Sequence, residues 1–346
     1  MGITVSVDTG QTFESGAAQY IAVAKLDANT FIVAYQDNDD SNHGKVVVGT
    51  RSGTTIYISE SDIVQFSSGD IQNIDVCALS PTLFIISYND VISVPYVSYV
   101  VAGSVSGTTI TLGSAVVSQS VGSANSTTVC KVDSTNFVAS EIVSNTIYSV
   151  TGVVSGTTIT LGAVVTFVGG KRVKSANLNS TDFILTYEYG FLMYAVVGIV
   201  DTTTQTITFG TAKYLGTGYL DWTYSSVASF DYNHFICFAC TATDNRIVAG
   251  AIGTGATRPI TIGTLVSDTT NITNLSICTM DSTHFLVSYK DADDSNYGKV
   301  RAGSLTGSTT LAWDDEGAIT FDTAIITYTG VCNLDGEYFL VGFKHT

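Results

Sequence analysis

The feature that most constrains this sequence is a six-residue pattern that occurs seven times along its 346 residues. Each copy begins with a large apolar residue and ends, five positions later, with a phenylalanine that starts an apolar run. The copies cover residues 26–31, 79–84, 132–137, 178–183, 230–235, 280–285 and 334–339. They recur about every fifty residues, a period that indicates a fold built from repeated supersecondary units.

Every copy belongs to a unit that reads as four short β-strands, lettered A to D here. In the first unit, strand A covers 20–26, strand B 31–35 and strand C 45–50, and the turn at Ser52 and Gly53 leads into strand D. Glycine in the C–D turn can adopt the positive φ that a tight hairpin requires. Valine and threonine, which suit a pleated surface, are abundant, whereas charged residues make up only 13% of the chain.

Four antiparallel strands repeated seven times predict an all-β, seven-bladed β-propeller, in which each blade buries its faces against its neighbours. A solenoid is the alternative, but it would need polar caps at both ends. We expect one domain over residues 1–346, with blades at about 19–70, 71–123, 124–170, 171–218, 219–270, 271–323, and 324–346 together with 1–18.

The last unit stops soon after strand B, so its completion is open. Residues 3–6 align with strand D and could join strands A and B from the C-terminal end. A D strand runs parallel to B, however, and cannot simply replace strand C. The seventh blade therefore either closes with three strands or accepts a strand from a partner chain.

The formal net charge of −16 and the pI near 4.3 exclude several partners. An acidic surface repels the phosphates of nucleic acids and of anionic lipids. The sequence has no run of the roughly 18 apolar residues that a membrane-spanning helix needs, and its first residues do not resemble a secretory signal. We expect neither a nucleic-acid partner nor insertion into a membrane.

Two units share an acidic B–C connection of the form D-x-D-D-S-N-x-G-K. Its oxygen-bearing residues are Asp37, Asp39, Asp40 and Asn42 in the first unit, and Asp291, Asp293, Asp294 and Asn296 in the sixth. Oxygen ligands at alternating positions before a glycine could hold a hard cation such as Ca²⁺. The alternative is a polar hairpin in which Asp, Asn and Gly simply favour the turn.

Aromatic residues supply the second set of candidate binding residues. Tyr35, Tyr88, Tyr187 and Tyr289 lie four positions after the anchoring phenylalanine, a regularity that favours packing between blades. The alternative is a platform on which sugar rings stack. The aromatic content also rises around the fourth and fifth units, at Tyr189, Phe191, Tyr194, Tyr214, Tyr219 and Trp222, and again at Trp313. Of these, Tyr189, Tyr194, Trp222 and Trp313 are the predicted ligand-binding residues.

We find no constellation that predicts an enzyme. His234 and His284 fill the same variable slot before the anchoring phenylalanine, which is typical of turn residues. Four of the six cysteines share one column of strand A with alanines, which indicates a small buried position. Paired carboxylates that converge at one end of a propeller could still hydrolyse glycosides, so an enzyme is the third expectation.

The units L-D-x-x-x-F…G-x-V-S-G-T-T-I-T-L-G, clearest at residues 26–35, 103–113 and 152–162, resemble the repeats of seven-bladed propellers in bacterial secreted or surface proteins and in tailed-phage virion proteins. The resemblance implies a scaffold, and some such propellers are lectins. It favours a recognition module on a virion or cell surface that binds a glycan or a protein receptor. The alternative is a structural virion component that docks a partner chain.

Overall fold

The computed structural model describes residues 5–8, 10–92, 94–119, 124–216, 224–240, 245–268, 270–314 and 316–345. The first sheet contains β1 (Ala18–Lys25), β2 (Thr30–Asp37), β3 (His43–Ser52), β4 (Thr55–Tyr57) and β5 (Val64–Ser67), with a 3-10 turn at Glu60–Asp62. Strands β1, β2 and β3 correspond to the predicted strands A, B and C.

Five further sheets repeat this composition. The second contains β6 (Ile71–Ser80), β7 (Leu83–Asp90), β8 (Val97–Ser106), β9 (Thr109–Leu112) and β10 (Val116–Gln119), and the third contains β11 (Ala124–Lys131), β12 (Asn136–Val143), β13 (Thr146–Ser155), β14 (Thr158–Leu161) and β15 (Val165–Val168). The fourth contains β16 (Lys171–Asn177), β17 (Asp182–Tyr189), β18 (Leu192–Asp201), β19 (Thr206–Phe209) and β20 (Lys213–Tyr214).

The fifth sheet contains β21 (Tyr224–Ser229), β22 (His234–Cys240), β23 (Asn245–Ile252), β24 (Ile260–Ile262) and β25 (Val266–Asp268). The sixth contains β26 (Ile272–Thr279), β27 (His284–Asp291), β28 (Tyr297–Thr306), β29 (Thr310–Trp313) and β30 (Ile319–Asp322), and the seventh unit adds β31 (Ile326–Asn333) and β32 (Phe339–His345). No helix in the described ranges has the length and hydropathy to cross a membrane.

The outermost strand of each complete blade is built in two pieces. β4 pairs with the second half of β3, where Thr55 lies opposite Ser52, and β5 pairs with the first half, where Val64 lies opposite Val46. Both run antiparallel to β3, so together they fill one strand position, and the other five sheets repeat the arrangement. The predicted all-β propeller of four-stranded antiparallel blades is therefore confirmed, with a strand D that is interrupted once.

In each complete blade, the anchoring phenylalanine of strand B lies against a glycine of strand C. These cross-strand partners are Phe31 and Gly49, Phe84 and Gly103, Phe137 and Gly152, Phe183 and Gly198, Phe235 and Gly250, and Phe285 and Gly303. A Cβ atom on any of these glycines would overlap the ring. The six rings are at most 1% exposed, and burying one stabilises the fold by about 1.5–3 kcal/mol.

The Asp of the L-D-x-x-x-F pattern closes the A–B turn. In the third unit the Asp133 carboxylate accepts the backbone N–H groups of Thr135 and Asn136, each at 2.8 Å. Asp231, Asp281 and Asp335 make the same pair of bonds in later units, and Asn179 does so in the fourth. Aspartate and asparagine recur at this position because their side chains satisfy turn N–H groups that have no strand partner.

The chain forms two compact units. One comprises Asp8–Val173 and Val200–Ile207, and the other comprises Met1–Val7, Lys174–Ile199 and Thr208–Thr346. Within the first unit, Asp75 on β6 accepts hydrogen bonds from the Thr128 hydroxyl at 2.7 Å and the Val129 N–H at 3.0 Å on β11. The predicted organisation as a single domain stays a prediction.

The predicted count of seven blades is wrong, because the described residues form six blades. Repeat seven contributes only the two-stranded sheet of β31 and β32. Of the segment expected to supply an N-terminal strand D, Ile3 and Thr4 lie outside the described residues, and Val5 and Ser6 are not in a strand. Val5 instead packs its side chain into an apolar cluster of the sixth and seventh sheets.

The contact between phenylalanine and glycine predicts that one methyl group added to the glycine strongly lowers the stability of the fold. We expect Gly103→Ala to lower the free energy of unfolding by about 1–3 kcal/mol, because the new Cβ overlaps the Phe84 ring. Gly10→Ala is the control, since no atom lies within 4 Å of a Cβ built there. Urea unfolding measures both, and equal stabilities for the two variants would contradict this account.

Candidate functional site

The repeats differ most in the connections between strands B and C. In the first and sixth blades these connections are acidic, at residues 38–42 and 292–296, and in the fourth blade the connection is the pair Gly190 and Phe191. The corresponding residues of the fifth blade, 241–244, lie outside the described ranges. Because the six complete sheets share one strand arrangement, side chains specific to one blade are found in the B–C connections.

In the first acidic connection the carboxylates are engaged by the loop itself. Asp37 accepts the N–H groups of Asp39 and Asp40 at 3.1 and 3.2 Å, and Asp39 accepts the N–H of Ala17 at 2.9 Å. Asp40 lies 2.5 Å from the Lys45 ammonium, and this hydrogen bond holds its pKa below the usual value. The side chain of Asn42 accepts a hydrogen bond from Asn38 at 3.0 Å.

The second acidic connection repeats these contacts. Asp291 accepts the N–H groups of Asp293 and Asp294 at 3.1 and 3.3 Å. Asp293 accepts the N–H of Asn271 at 2.8 Å, and Lys299 Nζ lies 2.8 Å from Asp291 and 2.6 Å from Asp294. Asn296, the last predicted ligand here, has φ of +64°. Burial alone would lower the pKa of Lys299, but the bonds to these two carboxylates raise it.

The lysine at the end of the D-x-D-D-S-N-x-G-K pattern therefore serves as the cation of each loop. The remaining carboxylate oxygens mainly accept backbone N–H groups, as in the polar-hairpin alternative. Across the part of the chain that the structure describes, no group of three or more His, Cys, Asp or Glu side chains is placed to hold a metal ion. Calcium binding at these loops stays a prediction. The lysine that pairs with the carboxylates is the last residue of the sequence motif itself.

Aromatic side chains converge at the B–C end of the fourth blade. The ring of Tyr194 on β18 lies 5.6 Å from Tyr187, 6.4 Å from Tyr189 and 5.9 Å from Tyr214. Tyr187 is buried, whereas Tyr189 and Tyr214 are 51% and 40% exposed. Phe191, in the turn between Tyr189 and the strand of Tyr194, is also 51% exposed. We call Tyr189, Phe191, Tyr194 and Tyr214 the aromatic cluster.

The structure brings together two of the four predicted ligand-binding residues, Tyr189 and Tyr194. Trp222 lies outside the described residues. Trp313 is half-buried, with its ring 5.5 Å from Phe285 and 6.2 Å from Phe238, and the Arg301 guanidinium lies 4.4 Å from its centroid. Trp313 thus packs between the fifth and sixth blades. Phe191 and Tyr214, which the local excess of aromatic residues had marked as further candidates, are the other two members of the cluster.

The predicted packing role of the regular tyrosine column is confirmed. Tyr35, Tyr88, Tyr187 and Tyr289 are at most 3% exposed. Burial raises the pKa of Tyr88 to about 12 and raises those of Tyr35 and Tyr187 further. The Tyr35 hydroxyl donates to Glu14 at 3.0 Å. These four tyrosines belong to the core, whereas Tyr189, Phe191 and Tyr214 of the aromatic cluster are exposed.

In the third blade, Glu141 occupies the position of this tyrosine column. It is 3% exposed, and burial raises its pKa from the usual 4.5 to about 7, although Ser98 and Ser118 donate hydrogen bonds to the carboxylate. Ser98 in turn accepts the Asn89 amide at 2.7 Å. The Oε2 atom of Glu141 has no hydrogen-bond partner within the described residues, so ionisation of the Glu141 carboxyl group is costly.

The two turn histidines each have an aspartate partner. His234 Nδ1 lies 2.9 Å from Asp231, and His284 Nδ1 lies 2.8 Å from Asp281. Burial alone would raise the pKa of Asp281, but hydrogen bonds from His284 and Thr283 lower it to about 2. The same aspartates accept the turn N–H groups, so the pairs belong to the A–B turns.

Comparison with known proteins adds the fold but no family. No protein family and no curated protein matches the sequence. A protein of solved structure from Lactobacillus plantarum aligns with a TM-score of 0.60 and 13% identity, over 84% of this chain and 82% of its own. Two further solved structures, a lectin and a sialidase, are similar to this chain at 11% and 9% identity.

A lectin from Aleuria aurantia, described as a six-bladed β-propeller with a novel fucose recognition mode, aligns with a TM-score of 0.51 and 11% identity, over 88% of this chain and 96% of its own. NanB sialidase from Streptococcus pneumoniae aligns with a TM-score of 0.52 and 9% identity, over 97% of this chain and 66% of its own. Such identities show the propeller fold alone, and the predicted resemblance to phage and bacterial surface proteins is not confirmed beyond it.

The position of Glu141 predicts a pH dependence of stability. A carboxyl group with a folded-state pKa above its unfolded value stabilises the fold below pH 4.5, and this contribution is lost as the pH rises through about 7. The loss amounts to about 3 kcal/mol. We expect Glu141→Gln to abolish this decline in urea unfolding between pH 4.5 and 8, and the exposed Glu337→Gln to keep it. A decline unchanged in the Glu141 variant would contradict this account.

Proposed function

We propose that this chain is a non-enzymatic recognition propeller that binds glycans through the aromatic cluster of its fourth blade. The observation that carries the proposal is the exposure of Tyr189, Phe191 and Tyr214, at 51%, 51% and 40%, beside the buried Tyr187. Exposed aromatic side chains that adjoin one another on a protein surface mark binding sites more often than isolated ones do.

The chemistry of the cluster suits a sugar ring. A pyranose presents a face of C–H groups, which are slightly positive and pack against the negative face of an aromatic ring. Tyrosine hydroxyls at the edge of the cluster can exchange hydrogen bonds with sugar hydroxyls. Because β17 and β18 hold Tyr189 and Tyr194 in a regular hairpin, where Tyr187 pairs with Tyr194, little conformational freedom is lost on binding.

The structural neighbours support a glycan as the ligand class. The Aleuria aurantia lectin was solved with Fucα1-6GlcNAc, and a sialidase also acts on glycans. We favour binding over hydrolysis because Asp40, Asp291 and Asp294 of the acidic loops, which could supply paired carboxylates, are already ion-paired with Lys45 or Lys299. A glycoside-acting enzyme is the third candidate.

We further propose display on the surface of a phage virion or of a cell. The support is the composition, in which charged residues are only 13% of the chain and Ser, Thr, Gly and Val dominate, together with the resemblance of the repeat to virion and bacterial surface propellers. A protein receptor is the alternative ligand for a surface-displayed propeller of this kind.

Glycan binding predicts a defined loss on mutation. On a glycan array, we expect the protein to bind a subset of glycans, and Tyr189→Ala and Tyr214→Ala each to weaken that binding about tenfold or more. Tyr232→Ala is the matched control, since Tyr232 is 64% exposed but lies in the A–B turn of the fifth blade.

The array is read with calcium and with EDTA, because the acidic loops were predicted to hold a cation. Binding that persists in EDTA fits the cluster, whereas binding abolished by EDTA would transfer the site to Asp39, Asp40, Asp293 and Asp294. A wild-type protein that binds no glycan would contradict the proposal.

A structural role is the second candidate, favoured by the two-stranded sheet of the seventh unit. Strand B is buried along its length in the complete blades, for example in β12, whereas Phe339, Val341 and Phe343 of β32 are half-buried. A strand from a partner chain, with a glycine opposite Phe339, would reproduce the contact found in the other blades.

This candidate predicts self-association or a partner at β32. In sedimentation equilibrium, we expect a mass above that of one chain if copies of the protein complete each other. Val341→Lys should return the mass to a single chain, and Tyr232→Lys should not. A single-chain mass for the wild-type protein would argue against completion by a second copy.

A further inference from the structure

We propose that Phe191 is the residue that determines the ligand class of the aromatic cluster, and that this ligand is a neutral sugar whose apolar face packs on the Phe191 ring. This inference rests on the proposed function and names the class of glycan and the residue that selects it. Its observations are the backbone conformation of the turn, the exposure of the ring and the charge of the protein.

The B–C turn of the fourth blade places a phenylalanine where other blades have asparagine. Tyr189 pairs with Leu192 across a two-residue turn, in which Gly190 and Phe191 have φ of +58° and +67°. The last two residues before strand C also have positive φ in three other blades, and the second of them is Asn42, Asn145 or Asn296.

This conformation is unfavourable for phenylalanine. Positive φ crowds the Cβ atom of most residues, and asparagine tolerates it because its short polar side chain can bond locally to the backbone. A bulky residue with positive φ in a turn is therefore a candidate for a functional role, whereas Tyr20 and Tyr328 have positive φ at irregularities in the pairing of strand A. The ring is 51% exposed, so burial in the core recovers only part of the cost.

Phe191 lies in the turn that directly follows Tyr189 and precedes the strand of Tyr194. Tyr189 immediately precedes the turn, and Tyr214 on the outer strand pairs with Tyr194, whose ring contacts both tyrosines. Phe191 is the member of this group without a polar group. It therefore adds an apolar contact surface next to two exposed tyrosines that can bond to sugar hydroxyls.

The charge of the protein selects against acidic sugars. The chain has a formal net charge of −16, and the faces of the aromatic rings are themselves negative. Sialylated and sulfated glycans would be repelled by this field, whereas the C–H face of a neutral pyranose is attracted to the rings. The cluster thus matches a neutral sugar, even though a sialidase is among the structures that share the fold.

Two measurements on the same variants test the inference. Thermal unfolding compares the wild-type protein with Phe191→Asn and with the reciprocal variant Asn145→Phe in the third blade. We expect Phe191→Asn to raise the unfolding temperature by about 2 °C and Asn145→Phe to lower it by a similar amount, because each changes the residue at positive φ. A lower unfolding temperature for Phe191→Asn would overturn the inference, since the ring would then be a structural element.

Binding is measured on an array that carries matched neutral and sialylated glycans. We expect the wild-type protein to bind neutral glycans, Phe191→Asn to bind them about tenfold or more weakly, and Phe191→Tyr to bind them as the wild type does. Unchanged binding by Phe191→Asn, or a preference for sialylated glycans, would overturn the inference and leave the proposed glycan-binding function in place. A wild-type protein that binds no glycan would overturn both.

Discussion

The ring of a phenylalanine on strand B, lying against a glycine on strand C, is the contact on which each complete blade depends. It buries six rings almost completely, and it does so only because strand C has no side chain at that position. The contact also fixes the register of the two strands, since Phe84 must face Gly103 and no neighbouring residue. In β32, where the described residues include no strand C, Phe339 is only half-buried.

Because these contacts fix strands B and C of each complete blade, the B–C connections can differ from blade to blade. The same pair of strands carries an acidic hairpin with an ion pair between Asp40 and Lys45 in one blade, and the exposed turn at Gly190 and Phe191 in another. The stability of the blade is set near the phenylalanine, at the start of strand B, whereas these connections follow its end. An unfavourable residue such as Phe191 can therefore be kept at a small cost to the whole fold.

Much of the fold follows from the sequence because the same pattern of strands and turns occurs in several repeats. Seven occurrences of the pattern predict the strands, the C–D turns at Gly53 and its equivalents, and the buried tyrosine column. The number of complete blades does not follow, because each anchor marks a strand B and carries no information on whether a strand C and a strand D complete that sheet. Counting anchors gave seven where the structure has six complete sheets and one of two strands.

The candidate site was predictable only in part. An excess of tyrosine marks the fourth blade, but exposure separates Tyr189 from Tyr187. The two residues share a face of β17, and Tyr189 is exposed where the strand ends. Trp313 looks like a binding residue in sequence, and the structure places it half-buried against Phe285 and Arg301. The carboxylates of Asp291 and Asp294 are predicted metal ligands, and the structure adds that Lys299 is ion-paired with both. Glu141 shows no sequence signal except that it interrupts the tyrosine column.

The most direct test of the account is a titration of the protein, with ¹³C-labelled phenylalanine and tyrosine, by the neutral glycan that binds best on the array. The account predicts that the aromatic NMR signals of Tyr189, Phe191 and Tyr214 shift on binding while those of Tyr232 do not. Shifts confined to residues outside the fourth blade would contradict it, because the glycan would then bind elsewhere.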